Sequence, residues 1–166
     1  MGCVNLWWIN NKIEIDMINW KFVKNFESYE FDDPRVPGSG SQVNGELLFK
    51  LQSLRDLVDL PIITHWKVGG CVDINGTHGH AKNSYHLKSM GCKACDFHFD
   101  DSKDFIDPRK LYRFVEEIGF GGIGVYYDWH WDGKLLPIGF HVDVRPVTKT
   151  QRWVRRDNNY LYLLGR

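Results

Sequence analysis

No apolar run in this chain reaches the ~18 residues that a membrane-crossing helix requires, so a spanning segment is not expected. Met1 to Ile9 is partly apolar, but it has neither a basic start nor a long apolar centre, and Asn5, Asn10 and Asn11 interrupt it; a secretory signal peptide is not expected either. Net charge is also missing. The 21 Lys and Arg balance 21 Asp and Glu, so no overall field draws the chain to nucleic acid or to an acidic membrane surface. No Gly-Lys-Ser/Thr follows Gly121-Gly122-Ile123-Gly124, and that string reads as a tight turn and the start of a strand rather than a phosphate cradle. Cysteine is sparse: Cys3, Cys71, Cys92 and Cys95 fall short of the disulfide framework of a small secreted domain and read as reduced thiols.

What is present suits one domain, since 166 residues with 43% hydrophobic and 14% aromatic content are enough for one core. Residues 1–21 read as an extension and 22–166 as the domain, with Met17 as an alternative start because Ile18-Asn19-Trp20 looks like the way into a fold. Val43 to Val58 carries Leu47, Leu48, Leu51, Leu54, Leu57 and Val58 at helical spacing, and Asp59-Leu60-Pro61 ends it. Pro61 to Thr64 reads as a buried strand, and 69–83, rich in Gly, His and Asn, as a loop on a cleft rim. Asp107 caps a second helix that opens on Pro108 and stops at Gly119. Strands are expected at Gly122 to Tyr127 and Ile138 to Val144, joined through Trp129-His130-Trp131-Asp132-Gly133. The sum is an α+β domain, a small antiparallel sheet with helices packed on one side.

Most polar features have an ordinary structural reading. Cys92-Lys93-Ala94-Cys95 runs into the alternating Asp96-Phe97-His98-Phe99, which suits buried thiols beside a strand; the competing reading is a structural zinc completed by Cys71 with His78 or His80. The basic tail, with Arg145, Lys149, Arg152, Arg155, Arg156 and Arg166 against Asp157, reads as a solvated face closing the domain in preference to a binding strip for an anionic wall polymer. His65, His78, His80, His98 and His130, each taken alone, read as satisfied core or surface residues. Trp129 and Trp131 read as packing or rim aromatics.

Several separated motifs change the weight of two other histidines. Ser84-Tyr85-His86, then Ala94-Cys95-Asp96, then Gly122-Ile123-Gly124-Val125-Tyr126 and Phe140-His141-Val142-Asp143-Val144 resemble, in that order, the zinc D-alanyl-D-alanine carboxypeptidases and the related L-alanyl-D-glutamate endopeptidases that phages use as endolysins. The likeness runs from about Phe26 to Trp153. It implies a hedgehog/D,D-peptidase-like fold, one Zn2+ held on the sheet by His86, Asp96 and His141, and cleavage of peptide bonds in peptidoglycan stem peptides. It also implies no nucleic-acid or membrane partner, a monomer, and a protein that is cytoplasmic until released to the wall, or virion-associated. Nine residues separate His86 from Asp96 where the family has six, which a longer hairpin loop would absorb.

Where relatives often read Ser-Gly-Tyr-Arg, Thr64-His65-Trp66-Lys67 stands. Lys67 is then the residue expected to steady an oxyanion or a terminal carboxylate, as a point charge in place of a guanidinium fork. The strand period of two puts Asp143 on the face of His141, either as general base or as the group that orients His141. Asp128 and His130 are reserve bases, and Trp129, His130 and Trp131 candidates for the substrate rim. The alternative function is a non-catalytic cell-wall-binding or metal-binding module of the same fold.

Overall fold

The structure, a computed structural model, describes residues 18–100 and 106–163. The readings made on Met1 to Met17, Cys3 included, and on Arg166 lie outside the described residues. Two α-helices and eight strands are formed there, with several single 3-10 turns. Helix α1 (Gly45–Val58) is capped by the Asn44 side chain, which accepts from the Leu47 N–H at 3.2 Å. It buries Leu47, Leu48, Leu51 and Leu54, and Val58 packs partly buried against the core, while Leu57 is exposed. Asp59, left-handed at φ 57°, closes it. Helix α2 (Pro108–Glu117) has Asp107 as its cap and Pro108 in its first turn, as expected, and buries Leu111 and Val115. Ile18 and Trp20 pack against the core, although both precede residue 22.

The strands are β1 (Ile62–Thr64), β2 (Ala94–Phe99), β3 (Gly122–Tyr126), β4 (His130–Trp131), β5 (Lys134–Leu135), β6 (Gly139–Asp143), β7 (Gln151–Arg156) and β8 (Asn159–Leu163). Six of them form one sheet in the order β1-β2-β6-β3-β7-β8; β4 and β5 form a separate hairpin. The sheet is mixed, which corrects the antiparallel expectation: β3 and β7 run parallel from Gly122 opposite Gln151 to Tyr126 opposite Arg155. The tail read as a solvated basic face forms β7 and β8, of which β8 is exposed along its length and β7 buries only Trp153. Its charges escaped notice as strand residues because they are paired, Arg152 with Glu116 at 2.6 Å and Arg155 with Asp128 at 2.8 Å.

Alternation along the central strands gives the sheet two unlike faces. Phe97, Phe99, Ile123, Val125, Phe140 and Val142 join the leucines of α1 and Leu111 and Val115 of α2 in one core. The opposite face carries Asp96 and His98 from β2, His141 and Asp143 from β6, and Trp153 and Arg155 from β7. Gly122 and Gly124 lie on that polar face of β3. A Cβ on Gly122 would meet the Asp143 carboxylate at 2.4 Å, and one on Gly124 the Trp153 ring at 2.5 Å, so the two glycines give these side chains room to lie across the strand.

Candidate metal centre

Asp96 and His141 are direct cross-strand partners between β2 and β6, so the ladder alone brings them together. His141 Nδ1 lies 2.7 Å from Asp96 Oδ1. His86 enters from a turn between the loop and β2. The three extra residues before Asp96 are taken up by a 3-10 turn at Lys88–Met90 and left-handed Gly91, not by a hairpin between two strands. His86 Nε2 nevertheless reaches to 3.2 Å from His141 Nδ1 and 3.5 Å from Asp96 Oδ1.

The second nitrogen of His86 settles its tautomer, whereas both nitrogens of His141 face a carboxylate. His86 Nδ1 donates to the Cys71 carbonyl at 2.9 Å, which leaves Nε2 with its lone pair. His141 Nε2 donates to Asp143 Oδ2 at 3.1 Å, and its Nδ1 donates to Asp96 Oδ1 while no metal is bound. One imidazole lone pair, a carboxylate oxygen and the Nδ1 of His141, which gives up its proton when a metal binds, thus converge in a buried place. Tetrahedral ligation at about 2.0–2.2 Å sets ligand atoms roughly 3.3 Å apart. Two of the three separations already have that span, and the 2.7 Å pair needs to open by roughly 0.6 Å. The residues fit a divalent ion.

Electrostatics support the same picture. Burial opposes charge on Asp96, but His86 and His141 hold its carboxyl well below the usual carboxylate range. Burial likewise opposes the imidazolium of His141, yet its hydrogen bonds to Asp143 and Asp96 push it up to about 9. A proton on Nδ1 and a metal ion compete for one place. Asp143, desolvated and fully buried, is held low by Arg145 and His141. Arg145 donates to it through Nε at 2.7 Å and also through Nη2, and its guanidinium lies against the rings of Tyr85 (5.0 Å) and Trp153 (5.4 Å).

A third imidazole, His80, expected to be an isolated histidine or a Cys71 partner in a structural zinc site, stands beside the cluster. The His80 ring stacks on His86 at 4.2 Å and 5°, its Nδ1 is 2.9 Å from Asp73 Oδ2, and its side chain is 18% exposed. His80, His86 and Asp96 place their ligand atoms within 4.8 Å of one another. Its signal in the sequence was His78-Gly79-His80 in a glycine-rich loop. Asp33, Asp73 and His78 make a second group of the same kind that could hold an ion. There the carboxylates accept from the N–H groups of Arg35, Ile74 and Thr77, at 2.9, 3.0 and 3.1 Å, and Asp33 pairs with His78 at 2.8 Å, which ties down the loop carrying His80.

The remaining candidates scatter. Lys67 is exposed, its ammonium 6.0 Å from the ring of Trp66, and it shares no contact with the cluster. Asp128 is spent on Arg155 and the Asn158 N–H. Trp129 and Trp131 lie against His65 at 4.7 and 4.6 Å, and His130 between them is exposed. His65 is buried, shares a 2.8 Å contact with His98, and is pushed down to about 3 by desolvation. Among the described residues no cysteine joins either group of potential ligands: His78 turns to Asp33 and His80 to Asp73. Comparison with protein-family models, with curated proteins and with solved structures finds no match.

Proposed function

We propose that this chain is a zinc-dependent peptidase that cuts peptide bonds in peptidoglycan stem peptides. The observation that carries the reading is the convergence of His86, Asp96 and His141, residues 55 positions apart at the extremes, with one nitrogen of each imidazole turned to one carboxylate oxygen. Two nitrogens and one oxygen suit zinc and leave a coordination position open. Zinc bound there supplies acidification of a water and polarisation of a carbonyl. The order of the surrounding motifs supports the substrate class.

The other side chains then divide the work. Asp143 holds the far nitrogen of His141, is fully buried and is clamped by Arg145, which suits the orienting role and leaves no route to a reacting water. His80, steadied by Asp73 at Nδ1, offers Nε2 as proton acceptor and donor beside the three ligands. Lys67, exposed and beside Trp66, has no assigned part in this arrangement.

The test is hydrolysis of purified peptidoglycan, abolished by chelator and restored by zinc, with the released fragments identified by mass spectrometry. Zinc binding at the three ligands without any hydrolysis would favour the non-catalytic module instead.

A further inference from the structure

The C-x-x-C motif drew attention to Cys92 and Cys95, but the close pair is a different one. Cys71, in the loop after β1, and Cys95, in β2, place their sulfurs 3.2 Å apart, and both are fully buried. A disulfide bond is about 2.05 Å long, so the gap to close is on the order of 1 Å. Both cysteines also touch the candidate metal centre through the backbone: the Cys71 carbonyl accepts from His86 Nδ1, and Cys95 directly precedes Asp96. The segment between them carries His78, His80 and His86.

We propose that Cys71 and Cys95 are a site of oxidative modification, a latent disulfide that a hydroperoxide closes and that staples the loop bearing His80 and His86 to the strand bearing Asp96. Hydrogen peroxide is small enough to reach the pair during a local opening of the loop. The Cys71 sulfur attacks one peroxide oxygen; the O–O bond breaks, and the departing hydroxide takes the thiol proton as water, leaving a sulfenic acid. The Cys95 sulfur then attacks the Cys71 sulfur; the S–O bond breaks, and hydroxide leaves with the Cys95 proton as a second water. Two thiols have lost two electrons and one peroxide has gained them. A protein working in a cell wall would leave the reducing cytosol and meet such oxidants, a setting that rests on the peptidase reading; the bond itself does not depend on it.

The experiment uses the reduced full-length protein treated with a few equivalents of hydrogen peroxide, then alkylated and digested without reductant for peptide mapping, with thiols counted in denaturant. The expected result is a Cys71–Cys95 cross-linked peptide, loss of two of the four thiols, and a rise in Tm that dithiothreitol reverses. Cys92→Ser should give the same cross-link, and Cys71→Ser should lose it. A Cys92–Cys95 cross-link, a cross-link through Cys3, or four thiols surviving treatment would each overturn the proposal. Because the readout is a covalent bond and needs no substrate, its failure is distinguishable from a failure to cleave peptidoglycan.

Discussion

The two halves of the candidate centre are built by different means. Asp96, His141 and Asp143 sit on β2 and β6, where cross-strand pairing puts Asp96 opposite His141 and the two-residue period puts Asp143 on the same face. His80 and His86 sit on irregular chain, held by a carbonyl, by Asp73 and by the turns around Gly91. A strand site is specified by register, and a one-residue slip would turn every ligand into the core. A loop site is specified by many weaker local contacts, each of which can loosen alone.

The largest effect expected of any single change falls on the sheet half. His141→Ala or Asp96→Ala should weaken zinc binding by more than the ~100-fold that loss of an outer hydrogen-bond partner costs, measured as metal content after dialysis against a graded chelator. Unchanged metal in both variants would remove the site assignment. On the loop half, His80→Ala should lower kcat by roughly 100-fold to 10,000-fold with zinc retained, read as peptidoglycan hydrolysis beside metal content on one preparation. If zinc is lost as well, His80 is a ligand rather than a proton carrier. Asp143→Asn should do the reverse, weakening zinc by roughly 10-fold to 100-fold, and a variant that binds zinc normally but turns over slowly would restore Asp143 as the base.

Smaller effects concern stability. The metal-free protein holds His141 at about 9 against an ordinary 6.5, so its contribution is fully present below about pH 6.5 and is lost as pH rises through about 9. Urea unfolding of the metal-free protein should weaken by up to about 3 kcal/mol across that window, and zinc, which takes the place of the Nδ1 proton, should reverse the trend. A flat profile would mean that His141 is not charged there. Gly124→Ala, which drives a Cβ into the Trp153 ring, should cost about 1–3 kcal/mol by overpacking. Removing one of the loop's anchors with Asp33→Ala should cost a similar or smaller amount, about 1–3 kcal/mol from donors left unpaired, together with faster hydrogen exchange confined to the loop around 69–83. Exchange spread over the sheet instead would erase the distinction between the two halves.

Much of this was legible in the sequence. The leucine spacing of α1, the Asp107-Pro108 start of α2 and the alternation of Phe140-His141-Val142-Asp143 are local signals, and each produced the element expected of it. The parallel strand β7 was not legible, because Gln151 to Arg156 is dominated by charge. Two of its arginines are paired with Glu116 and Asp128, 36 and 27 residues away. Lys67 was chosen by its place in a motif, and a 3-10 turn at Trp66–Val68 carries it outward. His80 reads in the sequence as an isolated histidine or a Cys71 partner because a lone loop histidine has no periodicity to mark it; its stacking on His86 and its bond to Asp73 distinguish it.

The sequence by itself determined the two helices, the alternation that sorts polar from apolar along the central strands, and the identity of His86, Asp96 and His141 as residues worth bringing together. The helices and the alternation follow from propensity, capping and period, which act over a few residues, and the three ligand candidates from the resemblance of their flanking motifs. Tertiary structure alone decided which nitrogen of His86 and of His141 faces the cluster, that Asp143 faces the far side of His141, that the Cys95 sulfur lies against that of Cys71, and that His80 stands beside the cluster. Each of those depends on atoms brought to within 2.7 to 4.2 Å from segments as much as 55 residues apart, and such proximity is a property of the closed fold and of no local stretch of chain.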